Sequence, residues 1–170
     1  KAVDAAAVAG GMDGKAEAGR YPYHCLSYRS FKMVNDFVLS RVPRILFGNG
    51  KLSVLPGLVK AFGDNLLILT GRKSFLKSKQ ADKLIGELKS KKIKLTLEPI
   101  PHEPSPRIID DLVRKHSLKA VSVVVSIGGG SVLDAGKALS AMLPLGEPVK
   151  DYLEGVGTRK HPGTKIPFIA

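Results

Sequence analysis

The central segment of the chain reads Val121-Ser-Val-Val-Val-Ser-Ile-Gly-Gly-Gly-Ser-Val-Leu-Asp-Ala-Gly-Lys137. From Val121 to Ile127 its residues are mostly β-branched, which is typical of a strand buried on both faces of a parallel sheet. Three glycines end this strand. Beyond them, apolar residues recur at helical spacing at Val132, Ala135, Leu139 and Met142. A helix is therefore predicted to begin close to Ser131, which gives the order strand, glycine turn, helix.

The glycine turn is a candidate anion-binding site. The first backbone N–H groups of a helix have no partner inside the helix, and the helix dipole is positive there. Gly128, Gly129 and Gly130 carry no Cβ that would keep a diphosphate away from the backbone. An ordinary tight turn needs only one glycine, so three in a row followed by serine favour the anion-binding interpretation.

Three polar side chains after the glycines extend this prediction. Ser131 is predicted to be the N-cap of the helix or to bond a phosphate oxygen. Asp134 then falls at the third helical position, from which its carboxylate can reach back to the amides of the turn. Lys137 lies at most two turns into the helix and adds positive charge near the site.

Two common phosphate-binding patterns do not fit the segment. The dinucleotide pattern G-x-G-x-x-G, started at Gly128, requires glycine where Leu133 stands. A Walker A loop ending at Gly136 and Lys137 requires glycine in place of Ser131 and a hydroxyl residue in place of Ala138. A third pattern must therefore describe this turn.

The pattern G-G-G-S-x-x-D-x-x-K, from Gly128 to Lys137, resembles the nucleotide-binding segment of the iron-containing alcohol dehydrogenases. This group also includes relatives of glycerol dehydrogenase and dehydroquinate synthase. The resemblance runs from about Phe37 to the C-terminus. Its other motifs are Arg44-Ile-Leu-Phe-Gly-Asn-Gly50, Glu103-Pro-Ser-Pro106, Asp151-Tyr-Leu-Glu-Gly-Val-Gly157 and Lys165-Ile-Pro-Phe-Ile-Ala170.

The resemblance implies an NAD(P)-dependent oxidoreductase that interconverts an alcohol and an aldehyde or ketone. In that family an N-terminal α/β domain holds the dinucleotide, and a following all-helical domain holds iron or another divalent ion through an aspartate and three histidines. The metal polarises the substrate oxygen while hydride passes to the nicotinamide. This chain is expected to stop before the helical domain, so it is predicted to be the cofactor-binding half and inactive alone.

No catalytic or metal-binding residue is predicted within the chain itself. Its four histidines, His24, His102, His116 and His161, are scattered and form no H-x-x-x-H pair that would place two imidazoles on one helix face. Dimers form largely through the N-terminal domain in the family, so the resemblance also implies a homodimer.

The loop after the second predicted strand is expected to select the dinucleotide. NAD-preferring dehydrogenases usually carry an acidic residue there, which binds the ribose hydroxyl and repels a 2′-phosphate. Here the loop is Gly71-Arg72-Lys73-Ser74 and has no carboxylate. Gly71, Arg72 and Ser74 are therefore predicted to favour NADP, with NAD possible. Ser105 matches a family position near the adenosine and is also predicted to cap the helix that begins at Pro106.

The alternation of strands and helices predicts an α/β fold with a doubly wound parallel sheet, a Rossmann-like domain with its ligand at the carboxyl ends of the strands. The predicted strands are Arg44–Phe47, Leu66–Thr70, Ile93–Ile100, Val121–Ile127 and a strand beginning at Ile166. Residues 1–32 lack periodicity and are predicted to be a disordered extension, so the dinucleotide-binding domain spans residues 33–170 and is incomplete at its C-terminal end.

Composition limits the other possible functions. The 170 residues are 44% hydrophobic and 25% charged, enough for one core, and no apolar run is long enough for a membrane helix. The single cysteine excludes an internal disulfide and favours a reducing, cytoplasmic location. The net charge of +12 comes largely from lysines on one helix face, so no specific nucleic-acid partner is predicted.

Three other interpretations stay open at the level of sequence. A polyol dehydrogenase or a dehydroquinate-synthase-like enzyme would share the fold and the dinucleotide. A non-catalytic nucleotide-binding or dimerisation module would bind without reacting. The positive charge alone would also produce salt-dependent, unspecific binding of nucleic acid.

Overall fold

The computed structural model of the chain describes residues 43–72 and 74–170. Within this part, Ile45–Ala170 form one compact unit. The predicted extension, residues 1–32, lies outside the described residues. No helix in the described part is both long enough and apolar enough to cross a membrane.

Four parallel strands form one sheet, and helices connect them. The strands are β1 (Asn65–Thr70), β2 (Lys94–Pro99), β3 (Val123–Ile127) and β4 (Phe168–Ile169), in the spatial order β2-β1-β3-β4. The helices are α1 (Leu55–Lys60), α2 (Lys79–Ser90), α3 (Pro106–His116) and α4 (Gly130–Met142), with 3₁₀ turns at Lys51–Val54 and Val149–Tyr152. The predicted α/β fold with a parallel sheet is confirmed.

Helices cover both faces of the sheet, as the apolar strands predicted. Because side chains alternate along a strand, Leu66, Ile68 and Val123 pack against α1 and α2. On the opposite face Leu67 and Val124 pack against α3 and α4. Strands buried on both faces read as continuous apolar runs, which is why β1 and β3 are recognisable from sequence.

Serine caps begin two of the helices. The Ser105 hydroxyl accepts the backbone N–H of Ile108 at 3.4 Å, and Pro106 occupies the first turn of α3, so this predicted helix start is confirmed. In the same way, the Ser78 hydroxyl accepts the N–H of Ala81 at 3.2 Å at the start of α2.

The predicted strand Arg44–Phe47 is wrong. These residues adopt no regular secondary structure, and Ile45 and Phe47 are 74% and 94% exposed. A strand is stabilised by backbone hydrogen bonds to a neighbouring strand, and no described strand pairs with this segment. A short apolar run indicates strand propensity, but it does not supply that neighbour.

A buried ionisable pair connects the edge strand β2 with the end of α3. His116 Nε2 lies 3.0 Å from Glu98 Oε2, so the ring donates to the carboxylate, and Lys115 Nζ lies 2.8 Å from the same oxygen. His116 Nδ1 is buried and has no partner among the described residues. Burial lowers the pKa of His116 more than Glu98 raises it, with Lys119 and Lys115 adding to the decrease.

The pKa of Glu98 is also shifted, in the direction that favours its charge. Burial raises the pKa of this carboxyl, but the hydrogen bonds and charges of Lys115 and His116 together outweigh burial and hold it below its usual value. The fold therefore favours a neutral imidazole beside a carboxylate.

Acidification is expected to destabilise the fold through this pair. Because the pKa of His116 is lower in the folded state, the unfolded chain binds a proton first as the pH falls below about 6.5, and stability decreases by at most about 1.4 kcal/mol per pH unit for that proton. Glu98 adds a further loss below about pH 4.5 for the same reason.

Urea denaturation of the wild type and His116→Gln from pH 7.5 to 5.0 checks this expectation. Glutamine keeps a donor for Glu98 but does not titrate, so the decrease in stability below pH 6.5 should be smaller in the variant. His102→Gln changes an exposed loop histidine and is the matched control. If the free energy of unfolding falls with pH in the same way in the wild type and in His116→Gln, the buried imidazole does not cause the loss of stability.

Candidate functional site

The sheet has a topological switch point between β1 and β3, and the space beyond the carboxyl ends of these two strands is called the crevice below. These strands are neighbours, but the chain continues from β1 to β2 on one side and from β3 to β4 on the other. Thr70 and Ile127 are paired in register at their carboxyl ends, so Gly71 and Gly128 leave the sheet side by side. Such a switch point is the usual ligand-binding position of a doubly wound sheet.

All predicted site segments follow the carboxyl ends of strands. Gly71, Arg72 and Ser74 come after β1, and Gly128 to Ser131 come after β3, so these two segments flank the crevice. Ser105 follows β2, one strand further out, and its hydroxyl caps α3.

Helix α4 begins at Gly130, close to Ser131 as predicted, but its N-cap lies two residues before the serine. Gly129 is its N-cap, so the prediction of Ser131 as the N-cap is wrong. Gly129 is extended, with φ −81° and ψ −172°, and its carbonyl accepts the N–H groups of Val132 at 3.0 Å and Leu133 at 3.1 Å. These bonds close the first turn ahead of Ser131, which lies at the second helical position, and Gly129 as N-cap has no side chain that could cap the helix.

The earlier helix start changes the role of Asp134 as well. Asp134 lies at the fifth helical position, and its carboxylate is 3.1 Å from Lys137 Nζ instead of reaching back to the turn. Both side chains are exposed, and an exposed pair of this kind contributes at most about 1 kcal/mol. The predicted capping contact of Asp134 is therefore wrong, and part of the Lys137 charge is neutralised locally.

The three glycines of the turn have different roles. A Cβ on Gly128 would lie 2.7 Å from the Val132 side chain, so the local packing requires glycine there. Cβ atoms on Gly129 and Gly130 would have no atom within 4 Å. Neither glycine has a positive φ. The fold itself therefore does not require glycine at 129 and 130, where the bare backbone adjoins open space.

One buried hydroxyl at the crevice was not predicted as a site residue. Thr70 is the last residue of β1 and is fully buried, and its Oγ1 has no hydrogen-bond partner among the described residues. An unpaired buried hydroxyl costs about 1–3 kcal/mol unless a ligand or water completes it. Its sequence signal is a single polar residue that ends an apolar strand.

The loop after β1 carries positive charge. Arg72 and Ser74 are exposed, Gly71 is half-buried, and a Cβ on Gly71 would have no atom within 4 Å. Lys73 lies outside the described residues. The loop sequence has no carboxylate, so no negative charge within it opposes an anionic ligand.

The segment that matches Asp151-Tyr-Leu-Glu-Gly-Val-Gly157 is a packed loop. The Tyr152 hydroxyl and the Arg159 guanidinium both donate to Glu147, which lowers the pKa of that carboxyl, and the bond to Glu147 raises the pKa of Tyr152. The Asp151 carbonyl accepts the N–H of Arg159 at 2.9 Å. These hydrogen bonds hold the loop together, so the segment has a structural role.

The groups at the crevice are ones that can bind an anion. Glu98, His116, Glu147, Tyr152 and Arg159, whose pKa values are shifted, lie outside the segments that flank the crevice. Across residues 43–72 and 74–170, no three His, Cys, Asp or Glu side chains come together to hold a metal ion. The crevice instead offers unpaired backbone N–H groups, small side chains and nearby cations.

Comparison with protein families gives one match that covers most of the chain. A sequence model described as iron-containing alcohol dehydrogenase matches residues 43–170. NADH-dependent butanol dehydrogenase B of Clostridium acetobutylicum is 34% identical over 123 residues, which cover 71% of this chain and 31% of that protein. A probable NADH-dependent butanol dehydrogenase 1 of Bacillus subtilis is 28% identical over 139 residues, covering 79% and 34%. The chain thus spans about a third of the length of these relatives.

Solved structures share the fold. An archaeal halo-thermophilic alcohol dehydrogenase from a Red Sea brine pool superposes with a TM-score of 0.71 at 24% identity, covering 81% of this chain and 36% of that one. NADH-dependent butanol dehydrogenase A of Thermotoga maritima gives a TM-score of 0.69 at 24% identity, covering 78% and 33%. At this identity the likeness concerns the fold alone.

Proposed function

Because the chain belongs to the iron-containing alcohol dehydrogenase family, we propose that residues 33–170 are the dinucleotide-binding part of an NAD(P)-dependent dehydrogenase. The enzyme would interconvert an alcohol and an aldehyde or ketone by hydride transfer. The predicted site residues around the crevice, Gly128 to Ser131 with Gly71, Arg72, Ser74 and Ser105, are proposed to hold the dinucleotide.

The observation that carries this proposal is the pair of glycines at the start of α4. Gly129 and Gly130 are required neither by backbone conformation nor by packing, yet they leave the uncapped end of a 13-residue helix bare. A diphosphate would accept hydrogen bonds from the N–H groups of Gly130 and Ser131 and would gain from the helix dipole. Thr70, buried beside this turn and without a hydrogen-bond partner among the described residues, fits a site that a polar ligand completes.

The residues of this chain would bind and orient the cofactor. Ser131, at the second helical position, can donate its hydroxyl to a phosphate oxygen, while Lys137 adds longer-range attraction weakened by Asp134. The dinucleotide, when bound, supplies the hydride acceptor or donor.

Calorimetric titration of the 170-residue chain with NADPH and NADH in moderate salt tests the proposal. Saturable binding with one molecule per chain is expected. Unspecific attraction to the basic surface would instead decrease steeply with salt and reach no defined stoichiometry. If circular dichroism shows that the chain is folded and it binds neither nucleotide, the proposal is contradicted and a non-catalytic interaction module is favoured.

We further propose a preference for NADP over NAD. The loop after β1 has no carboxylate that would repel a 2′-phosphate, and it carries the exposed cation of Arg72. The curated relatives described above are named as NADH-dependent, so the preference would distinguish this chain from them.

Gly71→Asp is expected to reverse the preference. A Cβ at this position meets no atom, so the fold tolerates the change. The new carboxylate would repel the 2′-phosphate, which lowers NADPH affinity about tenfold or more, and it would accept the ribose hydroxyl of NADH. Calorimetry on both nucleotides measures the change, and Gly71→Asn separates charge from size. Equal losses for NADPH and NADH would show that the loop does not read the 2′-phosphate.

The metal and the substrate are proposed to be bound by residues outside this chain. The chain spans about a third of the length of its curated relatives, and its described residues contain no metal-binding cluster. We therefore expect no alcohol oxidation by the 170 residues alone. Turnover of NADP with an alcohol and added Fe²⁺ by this chain would contradict that expectation.

A homodimer and a cytoplasmic location complete the proposal. Ile45 and Phe47 expose large apolar surfaces in the described part of the chain, which favours a protein contact. Sedimentation velocity would detect a concentration-dependent dimer, and Ile45→Lys with Phe47→Lys should weaken it. A monomer at every concentration would contradict self-association.

A further inference from the structure

Ser126 joins the two ends of the glycine turn. It is a buried residue of β3, just before the turn, and its hydroxyl donates to the backbone carbonyl of Val132, just after the turn, at 3.0 Å. Between these residues the chain is Ile127, three glycines and Ser131. Glycine has more backbone freedom than any other residue, so this connection would be poorly ordered without constraints at its ends.

A second contact holds α4 against the same serine. A Cβ on Gly136, one turn beyond Val132, would lie 2.0 Å from Ser126 Oγ and 2.6 Å from the Phe168 ring. The missing Cβ therefore provides the space in which the serine hydroxyl sits. Ser126 thus bonds the first turn of α4 and packs against its second turn, which fixes the helix start relative to the end of β3.

We propose that Ser126 is a positioning residue for dinucleotide binding, which orders the glycine turn and the first turn of α4 before the ligand arrives. This inference rests on the proposed function of the turn. Ser126 is buried and acts through the main chain. Its hydroxyl bonds the carbonyl of Val132, and the N–H of Val132 in turn bonds the carbonyl of Gly129. A turn already held in its bound shape loses less conformational entropy on binding.

Ser126→Ala tests the proposal. Alanine removes the bond between the Ser126 hydroxyl and the Val132 carbonyl but leaves the backbone hydrogen bonds of α4 in place. The helix should therefore stay intact while one end of the turn is released. Affinity for NADPH or NADH is expected to fall on the order of threefold to tenfold by calorimetry. In the free protein, amide hydrogen exchange at Val132 and Leu133 should become faster, while exchange at Leu143, at the far end of α4, should not change.

Ser140→Ala is the matched control. Ser140, in α4, is likewise a buried serine whose hydroxyl donates to a carbonyl of α4, that of Lys137 at 2.9 Å, but it lies more than two turns from the glycine turn. Its removal should affect stability about as much as Ser126→Ala and should leave affinity and Val132 exchange unchanged. The comparison separates positioning from general stability.

The possible outcomes distinguish this inference from the proposed function. If Ser126→Ala matches Ser140→Ala in both affinity and exchange, Ser126 has no positioning role, although dinucleotide binding by the wild type would stand. If the wild type binds neither nucleotide, both proposals fail. If exchange at Val132 accelerates without any loss of affinity, the turn is ordered by Ser126 but that order does not assist binding, which also overturns the inference.

Discussion

Gly129→Asp is expected to eliminate measurable dinucleotide binding while leaving the fold as stable as before or slightly more stable. Gly129 is the N-cap of α4, and its extended conformation and open surroundings accept a side chain. Aspartate is among the preferred N-cap residues, and it improves on glycine by a few tenths of a kcal/mol. Stability and binding should therefore change independently.

The loss of affinity follows from electrostatics. The new carboxylate would occupy the end of α4 that the diphosphate is proposed to use, and it would satisfy the same N–H groups. Two like charges about 4 Å apart near a protein surface repel by about 4 kcal/mol, which corresponds to a loss of affinity of roughly a thousandfold. Calorimetry measures the affinity, and urea denaturation measures the free energy of unfolding.

Gly129→Asn is the matched variant for charge. Asparagine is as good an N-cap and nearly the same size, so it should weaken binding much less than aspartate does. If the Gly129→Asp variant binds NADPH as tightly as the wild type does, the N-terminus of α4 is not the diphosphate site. If both variants unfold, the assignment of Gly129 as an unstrained N-cap is wrong.

Gly136→Ala is expected to destabilise the fold by about 2 kcal/mol or more. The new Cβ would overlap Ser126 Oγ at 2.0 Å and the Phe168 ring at 2.6 Å, so α4, β3 and β4 must move apart. Overpacking a core typically costs about 1–3 kcal/mol, and an overlap of this size lies at the upper end of that range. The better helix propensity of alanine, about 1 kcal/mol, offsets only part of this cost.

Gly86→Ala is expected to have the opposite effect on the stability of the same protein. Gly86 lies within α2, is exposed, and a Cβ there would meet no atom within 4 Å. This substitution should stabilise the chain by about 0.5–1 kcal/mol through helix propensity alone. Urea denaturation of both variants measures the difference in sign. A stabilised Gly136→Ala would mean that α4 does not lie as close to β3 and β4 as the structure has it.

The fold was largely predictable because its signals are local. The apolar runs of β1 and β3, the serine before Pro106 and the helical spacing in α4 each depend on residues that are near one another in sequence. Parallel strands buried on both faces are continuous apolar segments, so alternation with helices indicates the doubly wound sheet directly.

The errors occur where a neighbour in space decides the structure. Arg44–Phe47 has the composition of a strand but no described strand beside it. Ser131 is a good N-cap residue, yet hydrogen bonds to the Gly129 carbonyl start α4 earlier and leave Asp134 facing Lys137. Propensity ranks the possible helix starts, but backbone bonds and packing select one of them.

The sequence alone determined the order of strands and helices, the glycine turn and the absence of a carboxylate in the loop after β1, because these are properties of consecutive residues. Only the tertiary structure distinguished Gly128, which packs against Val132, from Gly129 and Gly130, which face open space. It also placed the loops after β1 and β3 side by side, left the buried Thr70 hydroxyl without a described partner, and brought Ser126 to Val132 and Gly136. These relations depend on distances between elements, which local sequence patterns do not contain.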